Sequence, residues 1–387
     1  MRAEKRHKSY PLLPFSQLVF DMIRWIPWVY MFEIRWRWTG QKKEQQRLEA
    51  AILQVLNNHP VFKMHVDSHG YQTYMPSPPA LKGQYYAIKL WSEGDDIYGR
   101  FRWNRILGDA KSIYILYENF IRAYQGEVLP TDEYLNYLEE QSQIQSSAHY
   151  VKSKAWLENT FSDMQVPVRP LLDRKRVQTI LPPRVGIQKD DYTALNADIY
   201  SFLQDKMLIL DGFFSLCIAL AIAEYCGTDS AALTWAYEGR ETPIEQHIFG
   251  SLHRDIPFQI HCINPNTNQP YTRDELVRQA RHQIRAGIAH SDYPYTLTKP
   301  HTDRWNYAVN VIRNVSSEEL LSAAPIPTTL LPMPKQRVAY AMLDVEIYEA
   351  KDSLKLLFRY SATHYKQESM QRFAAMIKQY ALWLLSK

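Results

Sequence analysis

The chain has 387 residues, more than one compact core usually supports, so its length predicts two domains or lobes. Hydrophobic residues make up 46% and charged residues 22%, which excludes wholesale disorder. With 45 basic and 41 acidic residues, the net charge of +4 is too balanced to predict nucleic-acid binding. The three cysteines form no CxxC pair, which favours a reducing, cytoplasmic location over a disulfide framework.

The first part of the chain alternates strand and helix signals. Residues 31–40, MFEIRWRWTG, alternate apolar and polar side chains as a half-buried strand does, and residues 42–60 predict a helix that a proline ends. Two further predicted strands, VFKMHV and DIYGRFRWN, precede an amphipathic helix that starts at Ala110 and ends near Gly126. We therefore expect a first lobe of mixed helix and strand over residues 1–163.

A basic segment with four prolines, residues 163–191, interrupts this alternation. We interpret residues 164–195 as the connection between two lobes, and residues 196–387 as the second lobe.

The second lobe contains an apolar run at residues 208–226, which Asp211 and Glu224 interrupt. Its uninterrupted part is shorter than the ~20 residues that a bilayer requires, so it predicts a buried helix and no membrane span. The other elements predicted in this lobe are a strand at 231–240, a strand at 255–262, a helix at 272–290, a strand at 304–313, a proline-rich loop at 324–334, strands at 338–350 and 353–362, and a closing helix from Gln367.

Several common catalytic motifs are absent from the sequence. There is no GxGxxG, P-loop, GxSxG, HExxH or CxxC motif, and the 12 histidines show no spacing typical of metal ligands. We therefore expect no metal and no bound cofactor.

Residues 104–110, NRILGDA, have the layout of an acyltransferase signature, His-His-x-x-x-Asp-Gly, without its histidines. Here the chain resembles the condensation domains of nonribosomal peptide synthetases and the wider group of chloramphenicol-acetyltransferase-like acyltransferases. Six segments carry the resemblance in the order typical of the family: YPLLPFSQLVFDM, LEAAILQVLNNHPVFKMHV, NRILGDAKSIYILYENFIRAYQG, SLCIALAIAEYCGTDSAALTWAYEGRE, IFGSLHRDIPFQI and LLFRYSATHYKQESMQRFAAMIKQY.

The resemblance implies an α+β fold. It consists of two chloramphenicol-acetyltransferase-like lobes in a V-shaped pseudo-dimer, with a central tunnel and the signature loop near the middle of that tunnel. It also implies an acyl or peptidyl carrier protein as partner, because carriers of this family present phosphopantetheine-linked acyl groups at the tunnel mouths. No nucleic acid is expected.

In this family the second signature histidine assists attack of an amine on a thioester, as a base or by positioning. Aligned residue by residue, the two histidines become Asn104 and Arg105, the aspartate is retained as Asp109 and the glycine becomes Ala110. Asparagine cannot take a proton, and arginine stays protonated with a pKa above ~12. Losing a general base typically costs about 10²–10⁴ in rate, so ordinary condensation activity is expected to be weak or absent.

Asp109 has two architectural interpretations. By resemblance it pairs with basic residues that brace the loop, for which Lys63 and Arg240 occupy the expected positions. Alternatively, Asp109 caps the helix that follows it.

Three other residues also have two interpretations each. Arg105 either binds a phosphate, carboxylate or oxyanion, or pairs with a nearby carboxylate and fills the tunnel. Trp235 and Tyr237 either line the tunnel or belong to the core.

These residues predict a condensation-domain-like protein that is freestanding or is excised from a larger synthetase. It is expected to bind a carrier protein or a tailoring enzyme and to lack ordinary condensation activity. The alternative is an active acyltransferase that forms an amide or ester from a carrier-bound thioester without a catalytic histidine. A small-molecule binding protein or scaffold unrelated to peptide assembly is a third alternative.

Overall fold

The computed structural model describes residues 8–24, 31–78, 80–161, 173, 184–294, 310–315, 326–331 and 343–386. The chain divides into two compact units. The first unit comprises Met1–Ser147, Glu238–Arg254 and Ser317–Lys335, and the second unit comprises Ala148–Tyr237, Asp255–Ser316 and Gln336–Lys387.

The first unit contains a four-stranded antiparallel sheet in the strand order Thr328–Leu330, Met31–Trp38, Asp96–Asn104 and Tyr86–Glu93. A second sheet has three short strands in the order Ser9–Pro11, Tyr71–Tyr74 and Met64–Val66. The elements of this unit are β1 (Ser9–Pro11), α1 (Pro14–Ile23), β2 (Met31–Trp38), α2 (Gln45–Asn58), β3 (Met64–Val66), β4 (Tyr71–Tyr74), β5 (Tyr86–Glu93), β6 (Asp96–Asn104), α3 (Ala110–Tyr124), α4 (Tyr134–Ile144) and β13 (Thr328–Leu330).

One face of the four-stranded sheet belongs to the apolar core of the first unit. Trp38, Ile97, Phe101 and Trp103 lie on this face, and each is at most 2% exposed. Phe120 of α3 stacks on Trp38 with the ring centroids 5.3 Å apart, so α3 covers this face. The predicted strands at 31–40 and 96–104 and the helix that starts at Ala110 are confirmed.

The sequence prediction is wrong at two places in the first unit. Residues 61–66 were predicted as one strand, but Pro60–Lys63 form a 3₁₀ helix and only Met64–Val66 form a strand. The predicted loop at 324–334 contains β13, which pairs with the edge of β2. Prolines on both sides of β13 hide its strand signal, but an edge strand tolerates prolines at its ends.

The second unit contains a six-stranded mixed sheet in the strand order Val185–Asp191, Ser353–Ser361, Leu343–Ala350, Asn310–Val315, Ser230–Tyr237 and Arg254–His261. Its buried helix, Leu210–Cys226, confirms the prediction of a buried helix at 208–226, because residues 210–223 are all buried. The elements are α5 (Ala148–Phe161), β7 (Val185–Asp191), α6 (Asn196–Lys206), α7 (Leu210–Cys226), β8 (Ser230–Tyr237), β9 (Arg254–His261), β10 (Ile263–Asn264), β11 (Gln269–Pro270), α8 (Arg273–Ala289), β12 (Asn310–Val315), β14 (Leu343–Ala350), β15 (Ser353–Ser361) and α9 (Gln367–Leu385).

The unit boundaries differ from the contiguous halves that the sequence predicted. Helix α5 lies in the second unit, and β7 is an edge strand inside the predicted connection of residues 164–195. Residues 164–172 and 174–183 of this predicted connection lie outside the described residues. Two segments from the second half of the chain, Glu238–Arg254 and Ser317–Lys335, lie in the first unit. The second of these contains β13, whose hydrogen bonds to β2 account for its place there.

In the described part of the chain, no single helix has the length and apolar character needed to cross a bilayer. One pair of described helices is long and apolar enough when both are counted together, namely Thr193–Lys206 and Leu210–Cys226. These two helices are bent by 100° relative to each other.

Gly99 lies opposite Trp36 in the four-stranded sheet, and this pairing yields a stability prediction. A Cβ atom at Gly99 would lie 2.1 Å from the Trp36 ring, so Gly99→Ala overpacks the sheet. We expect a loss of about 1–3 kcal/mol in the free energy of unfolding, measured by urea denaturation. The control is Gly94→Asn, at a position where φ is +61° and no atom lies within 4 Å of an added Cβ atom. Asparagine tolerates this backbone conformation, so an equal loss in both variants would contradict the packing explanation.

Candidate functional site

The loop between β6 and α3 starts from Asn104, which is the last residue of β6 and only 2% exposed. Its side-chain Oδ1 accepts a hydrogen bond from the backbone N–H of Ile106 at 3.0 Å, and its backbone oxygen accepts one from Leu107 at 3.0 Å. The Asn104 side chain therefore holds the turn of the loop, a role that asparagine performs well because its short amide reaches the backbone two residues on.

Asp109 ends the loop as the N-cap of α3. Its Oδ1 accepts a hydrogen bond from the backbone N–H of Ser112 at 3.1 Å, and the Ser112 hydroxyl accepts one from the backbone N–H of Asp109 at 3.2 Å. This reciprocal capping box satisfies donors that a helix start otherwise leaves unpaired. The capping interpretation of Asp109 is confirmed.

The same carboxylate forms a bidentate ion pair with Arg240. Arg240 Nη1 lies 2.9 Å from Asp109 Oδ2, and Nη2 lies 3.1 Å from Oδ1. The exposed fractions of the two side chains are 0% for Arg240 and 4% for Asp109. The structure thus brings Asp109 and Arg240 together, and one carboxylate both caps α3 and pairs with this arginine.

Backbone groups of the Glu238–Arg254 segment complete this network. The N–H groups of Leu252 and His253 donate to Asp109 Oδ2 at 3.0 and 3.2 Å. Arg240 Nη2 also donates to the carbonyl oxygens of Ile248 and Gly250 at 3.2 and 3.1 Å. The ion pair thus fixes the signature loop to a segment more than a hundred residues away in sequence, and hydrogen bonds satisfy the charges that burial removes from water.

Burial acts to raise the pKa of Asp109, but the Arg240 guanidinium and the hydrogen bonds outweigh it and hold this pKa below its usual range. Asp109 is therefore a structural carboxylate that stays ionised near neutral pH.

The family resemblance implies Lys63 as a second brace of Asp109, but the structure does not bring these two residues together. Lys63 ends the 3₁₀ helix and donates through Nζ to Asn57 Oδ1 at 2.6 Å. Within the described ranges, no hydrogen bond or ion pair joins Lys63 to Asp109.

Arg105 lies half-buried between two aromatic rings. Its Cζ lies 4.8 Å from the centroid of the Phe15 ring and 5.1 Å from that of the Phe32 ring. A guanidinium over an aromatic face is stabilised by the charge distribution of the ring. Neither interpretation of Arg105 from the sequence includes these contacts with aromatic rings.

His253 is the residue of this site that the sequence analysis missed. Its ring meets the Phe15 ring edge-on with the centroids 4.0 Å apart, so Phe15 contacts both His253 and Arg105. The Nδ1 atom of His253 is buried and has no hydrogen-bond partner in the described part of the chain. The segment IFGSLHRDIPFQI resembles the family as a whole, and no local pattern singles out its histidine.

The environment of His253 keeps its imidazole neutral. Burial is the largest cause that lowers its pKa, and the positive charge of Arg105 lowers it further, whereas Asp109 acts in the opposite direction. The resulting pKa is about 3. At neutral pH this imidazole is a hydrogen-bond acceptor and a very weak base.

The two aromatic residues predicted for the tunnel lie in the second unit. Trp235 is 2% exposed and belongs to the apolar core of this unit, so the core interpretation is the right one for Trp235. Tyr237 is partly buried and packs against the same core, with its ring centroid 5.5 Å from that of Trp235. A lining role for Tyr237 stays a prediction.

In chemical terms, the loop keeps its shape, and the three side chains Asn104, Arg105 and His253 are poor proton acceptors at neutral pH. Asn104 and Arg105 cannot accept a proton, and His253 is held neutral as a weak base. Among the residues that the structure describes, no group of three or more His, Cys, Asp or Glu residues is arranged to hold a metal ion.

Asp109→Asn tests the brace. It leaves the charge of Arg240 buried without a counter-ion, and we expect the free energy of unfolding to fall by about 3–5 kcal/mol in urea denaturation at pH 7. Because the folded pKa lies below the ordinary value of 3.8, the wild-type carboxylate contributes stability above that value. The free energy of unfolding of wild type loses this contribution as the pH falls through the depressed pKa of Asp109. The Asp109→Asn variant lacks the contribution at every pH. Glu127→Gln, which breaks the exposed ion pair with Arg122, is the control, and an equal loss in both variants would contradict the assignment.

Arg105→Gln tests the electrostatic coupling to His253. In wild type we expect the His253 ring to titrate with a pKa of about 3, followed by NMR of histidine labelled at the ring carbons, with His253→Gln to assign the signal. Removing the Arg105 charge raises this pKa. The contribution of the neutral ring to the free energy of unfolding is fully present above pH 6.5, the ordinary pKa of histidine, and is lost as the pH drops toward the pKa of His253 in the folded protein. This pH range is narrower in the variant, because its folded pKa lies closer to 6.5. An unchanged His253 pKa in Arg105→Gln would refute the coupling.

Comparisons with known proteins bear on this arrangement. The family model described as the condensation domain matches residues 105–386. A nonribosomal peptide synthetase of Aspergillus lentulus, lenA, is 23% identical over 274 residues, covering 61% of this chain. Surfactin synthase subunit 1 of Bacillus subtilis (strain 168) is 26% identical over 206 residues, covering 50% of this chain. The matches span only 6% and 5% of the lengths of these two relatives.

Solved structures show the same fold. The X-domain from teicoplanin biosynthesis matches with a TM-score of 0.79 and 16% identity, covering 98% of this chain and 96% of that chain. The X-domain in its complex with OxyB matches with a TM-score of 0.79, 15% identity, and coverages of 98% and 94%. The condensation domain of the monacolin K polyketide synthase MokA matches with a TM-score of 0.77, 12% identity, and coverages of 97% and 98%. The two-lobed α+β fold is confirmed, and the chain belongs to the condensation-domain family.

Proposed function

We propose that this chain acts in nonribosomal peptide or related natural-product biosynthesis as a condensation-domain-like binding platform without ordinary condensation activity. It recruits a carrier protein or a tailoring enzyme. The observation that carries this proposal is the intact Asp109–Arg240 brace around a loop without a suitable proton acceptor. A buried ion pair that also bonds to backbone N–H and carbonyl groups preserves the loop geometry independently of catalysis.

The residues at the two histidine positions support the absence of condensation. Asn104 uses its side-chain oxygen to hold the turn, so this atom is engaged with backbone. Arg105 is stabilised by two aromatic rings and carries a permanent charge. A general base at such a site typically contributes about 10²–10⁴ in rate, and neither side chain supplies it.

The alternative, an acyltransferase that works without a signature histidine, draws support from His253. This imidazole is neutral and therefore in the form that accepts a proton. The physical argument against it is the strength of the base: a general base works best with a pKa near the working pH, and the pKa of His253 is about 3. We therefore favour the platform.

The relatives suggest the class of partner. The X-domain from teicoplanin biosynthesis forms a complex with OxyB, so a domain of the same fold serves as a binding partner there. By analogy, we propose a tailoring enzyme or an acyl or peptidyl carrier protein as the partner of this chain. In the second case the chain binds the phosphopantetheine-linked acyl group that the carrier presents, and it has no bound cofactor of its own. We expect the complex to form in the cytoplasm.

Binding measurements test the platform. The purified chain is titrated by calorimetry with the holo carrier protein and with the tailoring enzyme of its own biosynthetic system. We expect one of them to bind with a Kd of about 10 µM or tighter. Arg105→Gln is expected to leave this Kd within about threefold, because the platform does not depend on the chemistry of the site. If neither protein binds at about 100 µM, the proposal is wrong.

A further inference from the structure

The four-stranded sheet of the first unit has a second face, opposite to its core face, that carries a concentration of cations. The strand register places Arg35 of β2 opposite Arg100 of β6, and Arg100 opposite Lys89 of β5. Arg37 and Arg102 lie on the same face in the neighbouring rows. All five are exposed or half-buried, so this polar face is accessible to solvent. We call Arg35, Arg100 and Lys89 the cationic row.

The cationic row is unfavourable for folding. Like charges directly opposite each other on neighbouring strands repel, and here three positive charges occupy directly paired positions. Neighbouring carboxylates relieve this only in part. Glu33 pairs with Arg35 and Arg102. In the described part of the chain, no carboxylate forms an ion pair with Arg100 or Lys89.

A row of cations that disfavours folding indicates a ligand of opposite charge. A bound anion would attract all three cations and remove their mutual repulsion, and both effects favour binding. The row is about 10 Å wide, because neighbouring strands lie about 4.8 Å apart. This width matches the diameter of one α-helix, about 10–12 Å. A flat, solvent-exposed row of this size fits the surface of a protein helix.

Nucleic acid fits this face less well. Two half-buried aromatic rings on this face, Trp91 and Tyr98, stack on each other with the centroids 5.7 Å apart and an interplanar angle of 16°. Lys89 lies over the Trp91 ring at 5.7 Å from its centroid. Each ring thus already has one face covered, which leaves less surface on which unpaired bases could stack. The net charge of the whole chain, +4, is also small for a nucleic-acid binder.

We propose that the cationic row is the docking surface for an acidic helix of a partner protein. The inference rests on the proposed platform function and assigns the surface through which that platform binds. Arg100 lies at the centre of the row and contributes a guanidinium that forms paired hydrogen bonds with a carboxylate. Lys89 and Arg35 flank it on the neighbouring strands.

The test uses the full chain and a synthetic helical peptide of about 20 residues that carries glutamate at every fourth position, with a glutamine twin. Fluorescence anisotropy at low and high salt measures binding. We expect the glutamate peptide to bind at least about tenfold more tightly than its twin, and salt to weaken this binding. Arg100→Glu and Lys89→Glu each weaken binding of the glutamate peptide about tenfold. Lys351→Glu, an exposed change of the same charge at the turn before β15, leaves it unchanged within about twofold.

A stability measurement separates a binding role from a structural one. Because Arg100→Gln removes one of three repelling charges, we expect its Tm to equal or exceed that of wild type. A clearly lower Tm would show that Arg100 stabilises the fold and would overturn the proposal. Equal losses of peptide binding in Arg100→Glu and Lys351→Glu would also overturn it, as would tighter binding of a 20-nucleotide single strand or of vesicles rich in phosphatidylserine than of the glutamate peptide.

The same variants distinguish this inference from the proposed function. If wild type binds its carrier protein or tailoring enzyme and Arg100→Glu binds it equally well, the platform stands and the cationic row is not its docking surface. If wild type binds neither protein, the platform itself fails.

Discussion

The buried ion pair between Asp109 and Arg240 is the interaction on which the rest of the first unit depends. It joins the loop after β6 to a segment from the second half of the chain, and the same carboxylate starts helix α3. Taking two charges out of water is unfavourable unless hydrogen bonds and opposite charges replace the lost hydration. Here the backbone N–H groups of Leu252 and His253 and the carbonyls of Ile248 and Gly250 provide that replacement. The geometry of the loop therefore does not require a catalytic residue.

This separation of shape from chemistry explains how the loop keeps its shape with Asn104 and Arg105 at the positions where the family resemblance implies histidines. The Asn104 side chain is part of the turn, and Arg105 lies beside Phe15 and Phe32. The charge of Arg105 in turn acts on His253 and helps to keep that imidazole neutral. Strand β6, which ends at this site, also carries Arg100 of the cationic row. One strand thus connects the altered site with the proposed docking surface.

Local patterns in the sequence predicted β6, α3 and the capping role of Asp109. The pairing of Asp109 with Arg240 was implied by the family resemblance, and the structure brings these two residues together. Prediction from the sequence failed where the contacts of a residue depend on its position in the folded chain. Lys63 matched the family alignment, but it ends a 3₁₀ helix and binds Asn57. His253 lies 144 residues from Asp109, and no periodicity or spacing could bring the two together. The cationic row depends on strand register, which alternation along one strand does not determine.

The most direct test of the account is a single-turnover measurement with an acyl group on one carrier protein and an amine on a second. We expect the acyl thioester to disappear at the same rate with and without the chain, in wild type and in His253→Ala alike, because Asn104 and Arg105 cannot accept a proton and His253, with a pKa of about 3, is a very weak base. Amide product formed by wild type at about 10² times the background rate or faster, and lost in His253→Ala, would contradict it.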